Sequence, residues 1–224
     1  MGGKVVAVER PGAAPVVAIA TAVAEAIGAT VVTVPTGRDA VLGALRGPDA
    51  VLGVVPRDQH SSWTIARASA RPVVLVPPMY PGTSASTAAV SRVLVPLDGT
   101  AESARAVVEV LGLLARANVD LVVLHVFDEA TVPPFWDQAA HARHDWEREF
   151  RKRFCTPEDV RLELRSGRPG DRVNQVAAEE HAHLIALGWS RRLDEGRART
   201  VRDTVRGARV PVMLVPLASV HPHL

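Results

Sequence analysis

The sequence predicts an α/β protein, with two open, mostly parallel sheets in tandem, each flanked by helices. Three observations predict it. Short β-branched apolar runs such as VLVPLDGT (93–100) alternate with amphipathic stretches of helical length, as in βαβ units built on buried parallel strands. Hydrophobic residues make up 47% of the chain and aromatics only 4%, which suits Val-, Ala- and Leu-rich helices packed on a sheet better than a sandwich. Finally, both sides of the small, polar stretch MYPGTSASTAAVS (79–91) open and close alike. KVVAVE (4–9) and RPVVLVPP (71–78) frame the first side, RVLVPLD (92–98) and VPVMLVPL (210–217) the second. An internal repeat follows, with a shortened unit over 1–78, a linker over 79–91, a fuller unit over 92–217 and a tail over 218–224.

In the second unit, strand 92–97 leads to helix 101–117 and strand 120–127. Pro96 has no N–H to give a ladder, so the first of these strands is expected to end or fray there. A charged helix over 135–154 carries Trp136, Trp146, Phe150 and Phe154 as its apolar stripe. Strand 160–167, helix 171–181, strand 183–188, helix 200–208 and strand 210–216 complete the unit. The first unit has strands 4–9, 30–35, 50–55 and 72–77 with helices 14–27, 39–46 and 61–70, one strand–helix pair fewer. DAVLGVVPR (49–57) parallels AHLIALGWSR (182–191), and the first turn, Glu9 to Gly12, has no Asp-Gly-Thr.

Composition excludes several function classes. A net charge of +2 is too weak a bias to argue nucleic-acid binding. The single cysteine, Cys155, allows no disulfide within the chain. The N-terminus lacks a signal-peptide pattern and no apolar run reaches membrane-spanning length, so a cytoplasmic protein is expected. GWSR (188–191) is not G-x-S-x-G, and Walker A and G-x-G-x-x-G patterns are absent. The histidines 141 and 144 stand three apart on a helix without a third anchored ligand and read as a solvated helix face, and His125, inside a strand, reads as a satisfied core or strand-end histidine.

With these pieces in order, the second unit resembles the universal stress protein family. VLVPLDGTAES, LVVLHVF, RSGRPGDRVNQVA, AHLIALGWSRR and ARVPVMLVP carry the resemblance, in that order, over nearly all of residues 91–217. It implies a tandem member whose first copy is degenerate. The implied units are flavodoxin-like or Rossmann-like open sheets of the adenine nucleotide alpha-hydrolase-like class. In nucleotide-binding members the turn at Pro96, Leu97 and Asp98 lies beside base and ribose, and the backbone at Val126 lies against adenine. The resemblance also implies a phosphate loop of glycines leading into a helix, here Gly188 to Val201. Gly188 matches its first glycine, Arg191 stands at the second, and Arg199 stands where the third belongs, before Thr200 and Val201. A residue with a Cβ does not freely take positive φ, so the cradle is not expected to keep its shape. Arg191, Arg192, Arg197 and Arg199 could instead clamp phosphate through side chains.

The implied function is a non-enzymatic stress-response protein that binds ATP or AMP, with Mg²⁺ accompanying ATP. The alternative is a protein-interaction module that has lost nucleotide and acts by dimerisation, and a weak ATPase is a third reading. Strands 72–77 and 210–216, short and flanked by prolines, are expected to pair the two halves as a pseudo-dimer, and a homodimer of chains stays open. Neither nucleic acid nor membrane is expected as a partner.

Overall fold

The computed structural model describes residues 2–9, 14–58, 60–80, 89–114, 119–128, 140–155, 160–191 and 197–217. In the first half β1 (Lys4–Glu9), α1 (Ala14–Ile27), β2 (Thr30–Pro35), α2 (Arg38–Leu45), β3 (Ala50–Pro56), α3 (Ser61–Ala68) and β4 (Val73–Val76) follow one another. The second half runs β5 (Arg92–Leu97), α4 (Ala101–Leu114), β6 (Asp120–Phe127), α5 (Ala140–Phe154), β7 (Arg161–Ser166), α6 (Pro169–Glu179), β8 (Leu184–Trp189), α7 (Arg197–Gly207) and β9 (Val212–Pro216). Trp136, residues 115–117 of the expected fourth helix, most of the expected linker and the tail with His221 and His223 lie outside the described residues.

The strands form one nine-stranded sheet in the order β2-β1-β3-β4-β9-β8-β5-β6-β7. Neighbouring strands within each half are parallel, as strand–helix alternation requires. Among the described residues the one antiparallel pair, β4 with β9, joins the halves, matching Val73 to Leu214, Val74 to Met213 and Leu75 to Val212. Superposing RPVVLVP on VPVMLVP sets Val73 on Val212, Val74 on Met213 and Leu75 on Leu214. The ladder is therefore symmetric about Val74 and Met213, as an isologous contact must be. It leaves both of these strands paired on each side, and β2 and β7 as the sheet's edges.

The same correspondence sets Gly53 on Ile185, since their amides donate to Pro72 O at 2.9 Å and Pro211 O at 3.0 Å respectively. Gly53 and Gly188, which look equivalent in sequence, are therefore not so in space, and Arg57 takes the place of Trp189. Among the described residues of the first half, no strand occupies the place of β7. β2 consequently lies at an edge and is largely exposed, whereas β6 is enclosed between β5 and β7 and mostly buried.

Alternation along the strands sends side chains into two cores, each continuous across the halves. Val5, Val74, Val93 and Met213 face α1, α4 and α5. Val6, Leu75, Leu94 and Leu214 face α2, α3, α6 and α7. β5 runs through Pro96 to Leu97, pairing Pro96 with Leu124 of β6, while its ladder to β8 stops at Leu94. The fraying expected at proline is thus confined to one side: the missing amide falls where β5 and β8 have already separated.

A sheet and two cores shared by both halves predict one cooperative unfolding transition. Far-UV circular dichroism and tryptophan fluorescence should coincide in urea, with separated transitions indicating independent halves. Met213→Ala should lower stability by about 2–5 kcal/mol without splitting the transition.

Candidate functional site

Within the second half the sheet reverses its winding at β5, with β6 on one side and β8 on the other. A crevice is expected where such strands part, at their carboxyl ends. A cleft of about 1090 Å³ opens there. Pro96, Leu97, Asp98, Val126, Gly188, Arg199, Thr200 and Val201, all singled out in the sequence, line it. Arg191 does not. Arg192 and Gly196 lie outside the described residues, and of Arg197 only the backbone is described.

Asp98 is first of all a structural carboxylate. Its Oδ1 accepts from Thr100 N at 3.0 Å, Thr100 Oγ1 at 2.7 Å and Ser103 Oγ at 2.6 Å. These bonds satisfy donors at the start of α4, where orphan amides and the helix dipole favour a negative charge. Gly99 between them has φ 78°, the left-handed region that glycine enters without penalty. A ligand hydroxyl reaching Asp98 would meet a carboxylate already held in place.

His125 forms the wall beside it. Nδ1 lies 2.8 Å from Leu97 O, and because a carbonyl can only accept, Nδ1 carries the hydrogen. The ring packs against Phe127, Trp146 and Phe150 with centroids 4.6, 5.3 and 4.8 Å away. Burial holds its pKa below the ordinary histidine value, against the Leu97 carbonyl and the Asp98 charge, which both favour protonation. His125, Phe127 and Trp146 give the cleft an aromatic side.

The opposite side comes from α6 and α7. Gly167, φ 125°, ends β7 and turns the chain so that Arg168 precedes Pro169 at the first position of α6. Gly170 is a close-approach glycine, since a Cβ there would stand 2.5 Å from Asp203 Cβ on α7. Arg168, Asp128 and Asp203 reach the cleft although the sequence reading did not select them. The signal available for Arg168 was the Gly-Arg-Pro-Gly run, a turn followed by proline at a helix start.

One expectation about the loop needs correction. α7 begins at Arg197, so Thr200 lies inside the first turn and not at its start. Arg191 has φ 60°, in the left-handed region, so the arginine bears a strain of roughly 1 kcal/mol.

Arg191→Gly should therefore be tolerated, whereas Arg191→Val should cost about 1–2 kcal/mol more in urea denaturation. For His125 the sign follows from its depressed pKa. Below about pH 6.5 the unfolded chain takes up a proton that the folded chain resists, so stability falls as pH drops through that value towards the folded-state pKa. His125→Asn, which keeps a donor for Leu97 O but cannot titrate, should lose less stability than the parent between pH 7.5 and 5.5.

Comparison with known proteins agrees with this architecture. A sequence model described as the universal stress protein family matches residues 89–216. No curated protein matches the chain by direct sequence comparison. Among solved structures, a Pseudomonas aeruginosa protein assigned to the universal stress proteins is 14% identical, with 96% of this chain and 82% of that one covered at a TM-score of 0.59. A universal stress protein from Archaeoglobus fulgidus is 16% identical over 92% of this chain and 76% of its own, at a TM-score of 0.56. Another, solved in complex with cAMP, is 21% identical over 58% of this chain and 98% of its own, at 0.42. With that family's sequence model spanning more than half of its residues and the same open α/β sheet in its solved neighbours, this chain belongs to the universal stress protein family.

Proposed function

We propose that the protein is a non-enzymatic, cytoplasmic stress-response protein whose second half binds an adenine nucleotide, ATP or AMP. The observation that carries the reading is the convergence of Pro96, Leu97, Asp98, Val126, Gly188, Arg199, Thr200 and Val201 on one cleft. The backbone of Val126 offers a carbonyl and an amide to a base edge, the aromatic side offers stacking, and Asp98 offers an acceptor to a ribose hydroxyl. Arg168 and Arg199 offer guanidinium groups to phosphate. Asp203 lines the same cleft, so a lengthening polyphosphate would meet like charge. The cleft is therefore better matched to AMP than to ATP, and Mg²⁺ would enter only with the triphosphate. His125 is tied to Leu97 O and Asp98 to the start of α4, an arrangement that favours binding over turnover.

In the same reading residues 1–78 are a truncated copy, 79–91 the connection, 92–217 the complete copy and 218–224 a tail. The halves act as a built-in pseudo-dimer, supported by the symmetric register of β4 on β9. A homodimer of chains would have to use other surfaces than these two strands.

Calorimetric titration with ATP, ADP and AMP, with and without Mg²⁺, tests the reading. AMP should bind with micromolar affinity independently of Mg²⁺, and Arg168→Ala and Arg199→Ala should each weaken it about tenfold. Folded, ligand-free protein that gives no heat with any nucleotide would overturn nucleotide binding and favour the interaction module.

A further inference from the structure

The last turn of α7 is held by a residue from the other half. Arg57 follows β3, its amide donates to Val76 O at 2.7 Å, and its guanidinium Nη1 donates to Val205 O and, at 2.7 Å, to Ala208 O. Carbonyls at a helix C-terminus have no partner within the helix and carry the negative end of its dipole. A half-buried guanidinium answers both needs. Trp189, which takes the place of Arg57 in the second half, reaches back with its ring centroid 5.7 Å from that of Trp63 on α3. One position in each half thus touches the last helix of the other, by charge in one direction and by aromatic contact in the other.

The first turn of the same α7 carries Arg199, Thr200 and Val201 into the cleft. α7 also sends Val201 and Val205 into the core on its side of the sheet. Towards α6 it packs through two close-approach glycines, Gly170 against Asp203 and Gly207 against Asn174, whose Nδ2 donates to Asp203 O at 3.4 Å. Asn174 Oδ1 and Thr204 Oγ1 are buried there without a hydrogen-bond partner among the described residues. The two hydrogen bonds from the planar guanidinium of Arg57 add a direct restraint on axial displacement at the C-terminal end of the helix.

We infer that Arg57 is a positioning residue for the cleft: through its bonds to Val205 O and Ala208 O, the first half sets where α7 presents Arg199, Thr200 and Val201. Occupancy of the cleft and the contact between the halves are then coupled, and each strengthens the other. The affinity part of this inference rests on the nucleotide reading, while the placement of α7 does not.

The test uses the full chain with Arg57→Met and Arg57→Lys, AMP as the probe, and amide hydrogen exchange without ligand. Arg57→Met should weaken AMP about tenfold and speed exchange at 201–206 more than in α6. Arg57→Lys, which keeps a cation at the helix end, should recover part of both, and it carries the comparison if the methionine variant does not fold. AMP bound equally well by the parent and the variants would overturn the inference. So would exchange in α7 that rises no more than in α6, since that is what general destabilisation produces. If the parent itself binds no AMP, the nucleotide reading fails, and the exchange comparison alone decides the placement of α7.

Discussion

The antiparallel contact of β4 with β9 is the constraint on which the remaining architecture depends. Both are short, wholly apolar strands flanked by proline, and each would otherwise be an open sheet edge. Pairing them closes two edges at once and continues the two side-chain layers through the junction, so that Val74 and Met213 share a core with Val5 and Val93. It also brings β3 and β8 to equivalent distances from the joint, which is why Arg57 and Trp189 can each reach the opposite half.

The cleft shows how much of its lining is placed by the fold's own needs. Asp98 and Gly99 are explained by starting a helix and by turning the chain, and His125 by supplying a donor to Leu97 O. None requires a ligand. What the fold does not explain is the collection of Arg168 and Arg199 with an aromatic side at a strand divergence, or an arginine retained in a left-handed turn where glycine would be free of strain.

The strands were legible because parallel strands buried on both faces read as short, continuous β-branched runs, and the shared frame of the two halves was visible in RPVVLVPP and VPVMLVPL. Helix starts were less legible. Thr200 has the chemistry of a cap, yet α7 begins at Arg197 and buries Ala198. Asp171 is expected to open α6, yet Pro169 occupies the first position and Asp171 lies within the first turn. The side of the cleft supplied by β5, β6 and β8 could be read from local patterns, since strand ends mark it. The place of Asp203 could not, because it exists only once Gly170 lets α6 and α7 approach. Backbone strain at Arg191 leaves no mark in the sequence.

The symmetric register of β4 on β9 has a consequence for how such a chain can change over generations. Two separate subunits meeting at this surface would be bound by mass action, and a weakened partner would dissociate on dilution. Tethered in one chain, the surfaces meet at an effective concentration that does not fall when the protein is scarce. One half of a tethered pair can then change without losing its mate. Covalent linkage lets two halves diverge while the contact between them holds.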